Sequence, residues 1–258
     1  MILSSDKTND FVALVSSISE NDPFVCRIVS LYMSYGPSLP FVDYWVVIDD
    51  KSRKCTGAIA RSGTDFILSL TDEADLEEIS SFMRVAGAFT VICSAKYELD
   101  LYGYRTAEGP ILSRNTRSNN DTSMDIVIPQ IKDAYSLIVA SSDENFTPPP
   151  FDDFYVDVNH KLRHETMRLF GVSEDDTLSA VAMTVAESYN GAVIGAVACL
   201  PEMRNKGFGS YIVDYLTDIL VSEGKCVYVH RAENANKSFY ENLGFNQIDV
   251  WREYHFEG

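Results

Sequence analysis

Apolar positions along this chain change period often enough to outline its elements one by one. Pro23 to Tyr35 spaces Val25, Ile28, Val29 and Tyr32 three and four residues apart, which predicts a helix with an apolar side. Tyr44 to Ile48 and Thr56 to Ala60 read as paired strands around the turn Asp49 to Lys54, and Phe66 to Leu70 as a third. Thr71 caps a predicted helix from Asp72 to Ala86, acidic in its first turn and followed by Gly87. Ala88 to Cys93 is a further strand. The second half begins with a short helix, Ala134 to Ser141, the acidic turn Asp143-Glu144, and Pro148-Pro149-Pro150, which forces an extended elbow. Asp152 to His164 can be helical, Thr166 to Gly171 and Thr177 to Glu187 read as strands, and Asn190-Gly191 as a tight turn. The returning strand is Ala192 to Leu200. Phe208, Ile212, Leu216 and Ile219 then mark one face of a helix ending at Gly224, followed by the strand Cys226 to His230 and a short helix that stops at Leu243-Gly244-Phe245.

Between the halves, Arg105 to Asp125 is polar and without a regular period, with Ser118-Asn119-Asn120-Asp121 at its centre. A domain boundary is expected there, giving residues 1–118 and 119–258. The second half runs helices, three antiparallel strands, helix, strand, helix, strand, and the first has a similar outline of helix, hairpin, strand, helix, strand, although no sequence repeat is evident.

Composition narrows the class. At 258 residues with 46% hydrophobic content the chain can bury a large core, and no apolar run reaches the length of a membrane span. Met1 to Asp10 is polar and acidic, unlike a secretory signal, so a cytoplasmic location is expected. Five cysteines (Cys26, Cys55, Cys93, Cys199, Cys226) show no metal spacing and read as reduced thiols. The net charge of −17 argues against nucleic acid as a partner. It is uneven: residues 1–120 carry 11 basic and 16 acidic side chains, residues 121–258 carry 10 and 22. A cationic partner is favoured near the second half.

The chemistry concentrates in Arg204-Asn205-Lys206-Gly207-Phe208-Gly209-Ser210, between the strand ending at Leu200 and the helix that follows. Unpaired N–H groups and the helix dipole make such a junction an anion site, and Gly207 and Gly209 let the main chain approach a phosphate. A P-loop needs four residues between its glycines and Lys-Ser/Thr after the second, and neither is present. A dinucleotide fingerprint wants a third glycine where Ile212 stands. The pattern Arg-x-x-Gly-x-Gly resembles the acyl-CoA loop of the GNAT superfamily of N-acyltransferases. The strand Cys226 to His230 and the segment Asn234 to Phe245, with Tyr240-x-x-x-Gly244-Phe245, resemble that family's next strand–helix pair. The resemblance covers Met124 to Phe256.

It implies an α+β fold: a mixed, largely antiparallel GNAT-type sheet flanked by helices, in two tandem GNAT-like domains of which the first lacks the diphosphate loop. An unrelated α+β cap is the other reading of the first half. It implies acetyl-CoA as co-substrate, with its diphosphate on Arg204 to Ser210 and its pantetheine along Val197, Ala198 and Cys199. Asn234 or Asn236 would contact cofactor or acceptor, and the two fit different relatives about equally. Tyr240 takes the place of the general acid that protonates the leaving thiolate, against a second reading as a core tyrosine.

The base is harder to read. The strand Ala192 to Leu200 carries no carboxylate, and Glu187 at the end of the preceding strand is the nearest candidate. Cys199 reads as a small strand residue rather than an acyl carrier, since no His stands beside it in sequence. His160 and His164, at i and i+4 with Lys161 and Arg163 between, read as a solvated face with no metal. The acids Asp143, Glu144, Asp152, Asp153 and Asp157 are either solvated surface or the binding site of a cationic small-molecule or peptide amine. Three function classes follow: an N-acetyltransferase acting on a primary amine by direct transfer, a non-catalytic acyl-CoA-binding protein, and a dinucleotide enzyme, which Ile212 disfavours.

Overall fold

A computed structural model describes residues 1–8, 10–118, 123–142, 147–233 and 235–257. Asn119 to Asp121 of the expected boundary, Asp143, Glu144 and Asn234 lie outside the described residues. The chain forms two compact units, Met1–Ile111 with Ile248–Gly258, and Leu112–Gln247.

In the first unit, β1 (Ile2–Ser4) precedes α1 (Phe11–Ser16) and α2 (Pro23–Tyr35). Asp22 caps α2, accepting from Phe24 N at 2.6 Å and Val25 N at 3.2 Å, and Pro23 takes the first helical position. Three antiparallel strands follow, β2 (Val42–Ile48), β3 (Cys55–Ser62) and β4 (Asp65–Leu70). After α3 (Leu76–Val85), β5 (Thr90–Ser94) pairs parallel to β4. The cap of α3 is Asp75, whose side chain accepts from Glu78 N at 3.0 Å, rather than Thr71. Thr71 starts a turn in which Ala74 N reaches the Thr71 carbonyl at 3.1 Å.

Two strands emerge where no period was visible. Tyr104 to Arg114 is β6, exposed from Arg105 to Glu108 and buried from Gly109 to Leu112. Its inside–outside alternation is absent, and Gly109-Pro110 reads as a breaker. Asn246 to Phe256 is the last strand, β12 by position, whose Trp251 to His255 pair antiparallel with β5. Tyr254 is buried there and its hydroxyl accepts from Leu99 N at 3.0 Å. The chain's last segment thus belongs to the first unit, and the second begins at Leu112, seven residues before the expected boundary.

In the second unit, β7 (Asp125–Val127), α4 (Ile131–Ser141) and α5 (Phe151–Arg163) precede the antiparallel strands β8 (Leu169–Glu174), β9 (Thr177–Glu187) and β10 (Gly191–Cys199). Then come α6 (Phe208–Ser222), β11 (Cys226–His230), parallel to β10, and α7 (Lys237–Asn242). One side of this sheet packs Ala192, Ile194, Val227 and Val229 against Phe208, Ile212 and Leu216 of α6. Leu220, fully buried, completes that face where Ile219 was expected, because Ile219 is only half-buried. The other side packs Val181, Met183 and Ala198 against Leu137 and Ile138 of α4 and Phe154 and Val158 of α5. Element for element, the two units share an order: strand, two helices, three antiparallel strands, helix, parallel strand. Among the described residues no helix is long and apolar enough to cross a membrane.

Candidate functional site

The end of β10 is where the second unit departs from regular pairing. Gly195 pairs with Met183 and Ala198 with Val181, so Ala196 and Val197 together oppose the single residue Ala182. This is a β-bulge, and Ala196 holds a left-handed φ of 47° inside it. On the other edge, β10 pairs with β11 only from Gly191–Cys226 to Ile194–Val229. Beyond Ile194 the two parallel strands part, which leaves the β11-side edge at Gly195 to Cys199 without a strand partner among the described residues. A splayed edge of this kind is a ready template for an extended ligand rich in amides.

The splay leads into the turn before α6. Asn205 and Gly207 both take left-handed φ, 61° and 92°, around Lys206. Such alternation turns successive N–H groups toward one concave side. Gly207 is the N-cap of α6 and no side chain caps the helix. Among the described residues the backbone N–H groups of Asn205, Lys206, Gly207, Phe208 and Ser210 have no partner. The Gly209 N–H lies near the Cys199 sulfur. Burial pushes that thiol's pKa up, with Arg204 and the Gly209 N–H opposing. Phe208 is buried beneath the turn, while Arg204, Asn205, Lys206 and Gly207 are exposed.

The two cations stand back from the turn. Arg204 Nη2 donates to the carbonyl of Ser141, the last residue of α4, at 3.1 Å, and its Nε to the Cys199 carbonyl at 3.4 Å. Lys206 Nζ lies 3.3 Å from Met203 Sδ. Ser141 Oγ also donates to the Cys199 carbonyl, at 3.0 Å, a contact that nothing in the sequence announced.

Helix α7 packs against this helix start: a Cβ on Gly209 would lie 3.7 Å from the Phe239 ring. The next residue, Tyr240, is 8% exposed, between Phe239 at 5.0 Å and Phe245 at 5.8 Å, both edge-on. Its hydroxyl has no hydrogen-bond partner among the described residues. Burial pushes its pKa up to about 12, opposed by the nearby Arg231 guanidinium. Arg231 itself donates to the carbonyls of Ala232, Glu233 and Ala235 at 2.7–3.0 Å and so shapes the loop before α7. Asn236, exposed and left-handed at φ 54°, is the N-cap of α7 without a side-chain cap bond.

Residues 169–255 match the family model described as FR47-like protein. No curated protein matches the chain in sequence at a significant level. Among solved structures the chain is similar to a tandem GNAT protein from the clavulanic acid biosynthesis pathway, with TM-score 0.57 and 14% identity over 98% of this chain and 97% of that one. It is similar to a GCN5-related N-acetyltransferase from Sphaerobacter thermophilus, with TM-score 0.59 and 10% identity over 98% and 94%. It is also similar to a GNAT-family acetyltransferase from Colwellia psychrerythraea, with TM-score 0.53 and 14% identity over the full length of both.

The second unit has the fold of a GNAT domain and carries the FR47-like match. The first has the same fold, so the chain is a tandem of GNAT-like units. Where the second unit has the turn Arg204 to Ser210, the first unit has Thr71 to Asp75, with no glycine and no left-handed residue. Its α3 begins among Asp72, Glu73, Asp75, Glu77 and Glu78, and the Asp75 side chain already caps it. Five carboxylates around a helix start repel a diphosphate.

Glu187 of the GNAT domain stands apart from the splay. It pairs with Ala192, about five residues or some 17 Å along the strand from Val197. Its carboxylate, 1% exposed, accepts from Thr184 Oγ1 at 2.8 Å and Lys225 Nζ at 2.8 Å and lies 3.2 Å from Arg168 Nε. Two cations and a hydroxyl occupy it, so the geometry gives its expected role as base no support. His230, which follows the last paired residue of β11, is a titratable side chain that the register brings to the splay. Asp152 and Asp153 are exposed in the first turn of α5, and Asp157 binds Lys161 at 2.8 Å. Tyr135 ties the proline elbow to α4, its hydroxyl donating to the Pro149 carbonyl at 2.8 Å and its ring 5.1 Å from Phe151. His160 and His164 stack at 4.3 Å, and no third metal ligand stands near them among the described residues.

Proposed function

We propose that the protein is an N-acetyltransferase that moves an acetyl group from acetyl-CoA to a primary amine by direct transfer. The observation that carries this reading is the bulged, splayed end of β10 running straight into a turn with five free N–H groups. Two features of one ligand fit it: a diamide arm long enough to lie along Gly195 to Cys199, and a diphosphate for Asn205 to Ser210. Arg204 and Lys206, both exposed, would turn toward the anion.

In the reaction the amine nitrogen attacks the thioester carbonyl. A C–N bond forms, the C–S bond breaks, and the sulfur leaves with the electron pair. Tyr240 Oη is the proposed proton source for that sulfur. A phenol with pKa about 12 stays protonated throughout the working range, so it is always ready to donate as the thiolate develops. The amine must shed its own proton, and water at the open edge of the splay is the proposed acceptor.

The acceptor reading rests on the elbow. Exposed Phe151 and Tyr155 flank Asp152 and Asp153, and aromatic faces beside carboxylates attract an ammonium group. A cytoplasmic small molecule or an exposed peptide amine fits equally. The deciding measurement is release of CoA thiol from acetyl-CoA with a panel of amines. Tight CoA binding without turnover on any amine would favour the non-catalytic acyl-CoA-binding reading instead.

A further inference from the structure

Arg114, at the end of β6, belongs to the GNAT domain and has one of its most buried charges, with its side chain 3% exposed. Its Nη1 donates to Asp214 of α6 and to the carbonyl of Leu243, the C-cap of α7, the latter at 2.8 Å. Its Nη2 donates to Asp218, one turn further along α6, at 2.7 Å, and its Nε to the Thr116 carbonyl at 2.8 Å. Ser118 completes Asp218 through its N–H at 2.8 Å and its hydroxyl at 2.6 Å. The guanidinium also lies 5.9 Å from the Phe245 ring, which in turn packs edge-on against Tyr240.

The two helices joined in this way differ in how much they need the joint. Helix α6 has fifteen residues and a fully buried apolar face, so its place is set by packing. Helix α7 has six residues, too few to hold itself, and its position is decided by tertiary contacts. Its last turn closes on Tyr240, whose carbonyl accepts from Leu243 N at 3.1 Å and Phe245 N at 3.0 Å. A pull on the Leu243 carbonyl or on the Phe245 ring is therefore passed directly to Tyr240.

We propose that Arg114 is a positioning residue for Tyr240: it fastens the end of α7 to α6 and thereby sets where the Tyr240 hydroxyl stands relative to the cradle. This rests on the reading of Tyr240 as the proton donor. The cradle itself is main chain at the start of α6, about two turns ahead of Asp214 and three ahead of Asp218, and α6 is held by its own buried face, so loss of Arg114 should spare cofactor binding.

The test is Arg114→Lys, which leaves a cation between Asp214 and Asp218 but lacks the fork that also reaches Leu243. It is made in the wild-type and in the Tyr240→Phe background. Expected is a fall in kcat on the order of 10- to 100-fold in the wild-type background. In the Tyr240→Phe background it should change kcat less than about twofold, with CoA affinity unchanged in both. Equal losses in both backgrounds, or no loss in either, overturn the proposal. A wild-type rate for Tyr240→Phe alone removes the proton-donor reading, a distinct outcome, and this role with it. Titration of Tyr240 by carbon-13 NMR needs no acceptor. Loosening α7 should admit water and bring the midpoint down from about 12 toward the ordinary tyrosine value, and an unmoved midpoint counts against the proposal. Should Arg114→Lys not fold, Asp218→Asn removes one arm of the clamp at a site 20% exposed and should shift both readouts the same way by less.

Discussion

At the scale of single residues, Gly207 and Tyr240 carry the sharpest expectations. A Cβ built on Gly207 meets nothing closer than Met124 Cε at 3.8 Å, so space is not what requires glycine there. The requirement is φ 92°, which a β-branched residue adopts only at a cost of about 1–3 kcal/mol. Gly207→Val should therefore lose CoA binding by calorimetry while the domain still folds with a modest fall in Tm. Unchanged CoA affinity would move the diphosphate elsewhere. Tyr240→Phe keeps the ring between Phe239 and Phe245 and should lower kcat on the order of 10²–10⁴-fold with CoA affinity intact. The sign of its pH dependence follows from burial. A tyrosine held neutral up to about pH 12 does not ionise near 10, so kcat should rise as the amine loses its proton and then stay level past pH 10. A fall centred near pH 10 would point to a solvent-exposed phenol as the donor. The left-handed turn at Gly207 and the short helix that carries Tyr240 were legible in sequence, because glycine placement and helix-stop signals are local. Arg114 and Ser141 were not, since each acts on carbonyls or carboxylates far away in sequence, and neither was Arg231, whose neighbouring loop carbonyls turn onto it only in the folded chain.

At the scale of elements, the proposed acceptor reading makes the elbow and α5 the parts that decide which amine approaches the splay. The carboxylates of Asp152 and Asp153 are exposed and act through long-range attraction, which salt screens. Replacing both with Asn should raise the KM of a cationic amine severalfold at low salt and flatten its salt dependence, with the KM for acetyl-CoA unmoved. If neither changes, these acids are solvated surface. Apolar spacing and apolar runs bounded by turn residues recovered α2 and β9 at their observed ends and most other strands within a few residues, although β9 and β10 are buried or half-buried almost throughout rather than alternating. They failed for β6, where exposure and burial fall in two blocks, and for the start of α3, where Asp75 outcompetes Thr71 by reaching the N–H of Glu78.

At the scale of the molecule, duplication of the fold without duplication of the cradle predicts one CoA per chain. Calorimetry should give a stoichiometry of one, and Gly207→Val should abolish all binding; residual binding would place a second site in the acidic first unit. The C-terminal strand makes a further prediction. Truncation after Gln247 removes the partner of β5 and the buried Tyr254, so amide exchange at Thr90 to Ser94 should speed up in a unit distant in sequence. Unaltered exchange there would mean that β5 is held by β4 alone. What the sequence determined by itself is local: helix and strand periods, the left-handed glycine of the turn, and the anion-binding chemistry of a helix start, all properties of a few adjacent residues. Only the tertiary structure decided which sheet the last strand joins, that Glu187 is spent on Arg168 and Lys225, and that Arg114 clamps α7 to α6. Those depend on which distant groups are buried together, and a buried charge must find its partner wherever the fold brings one.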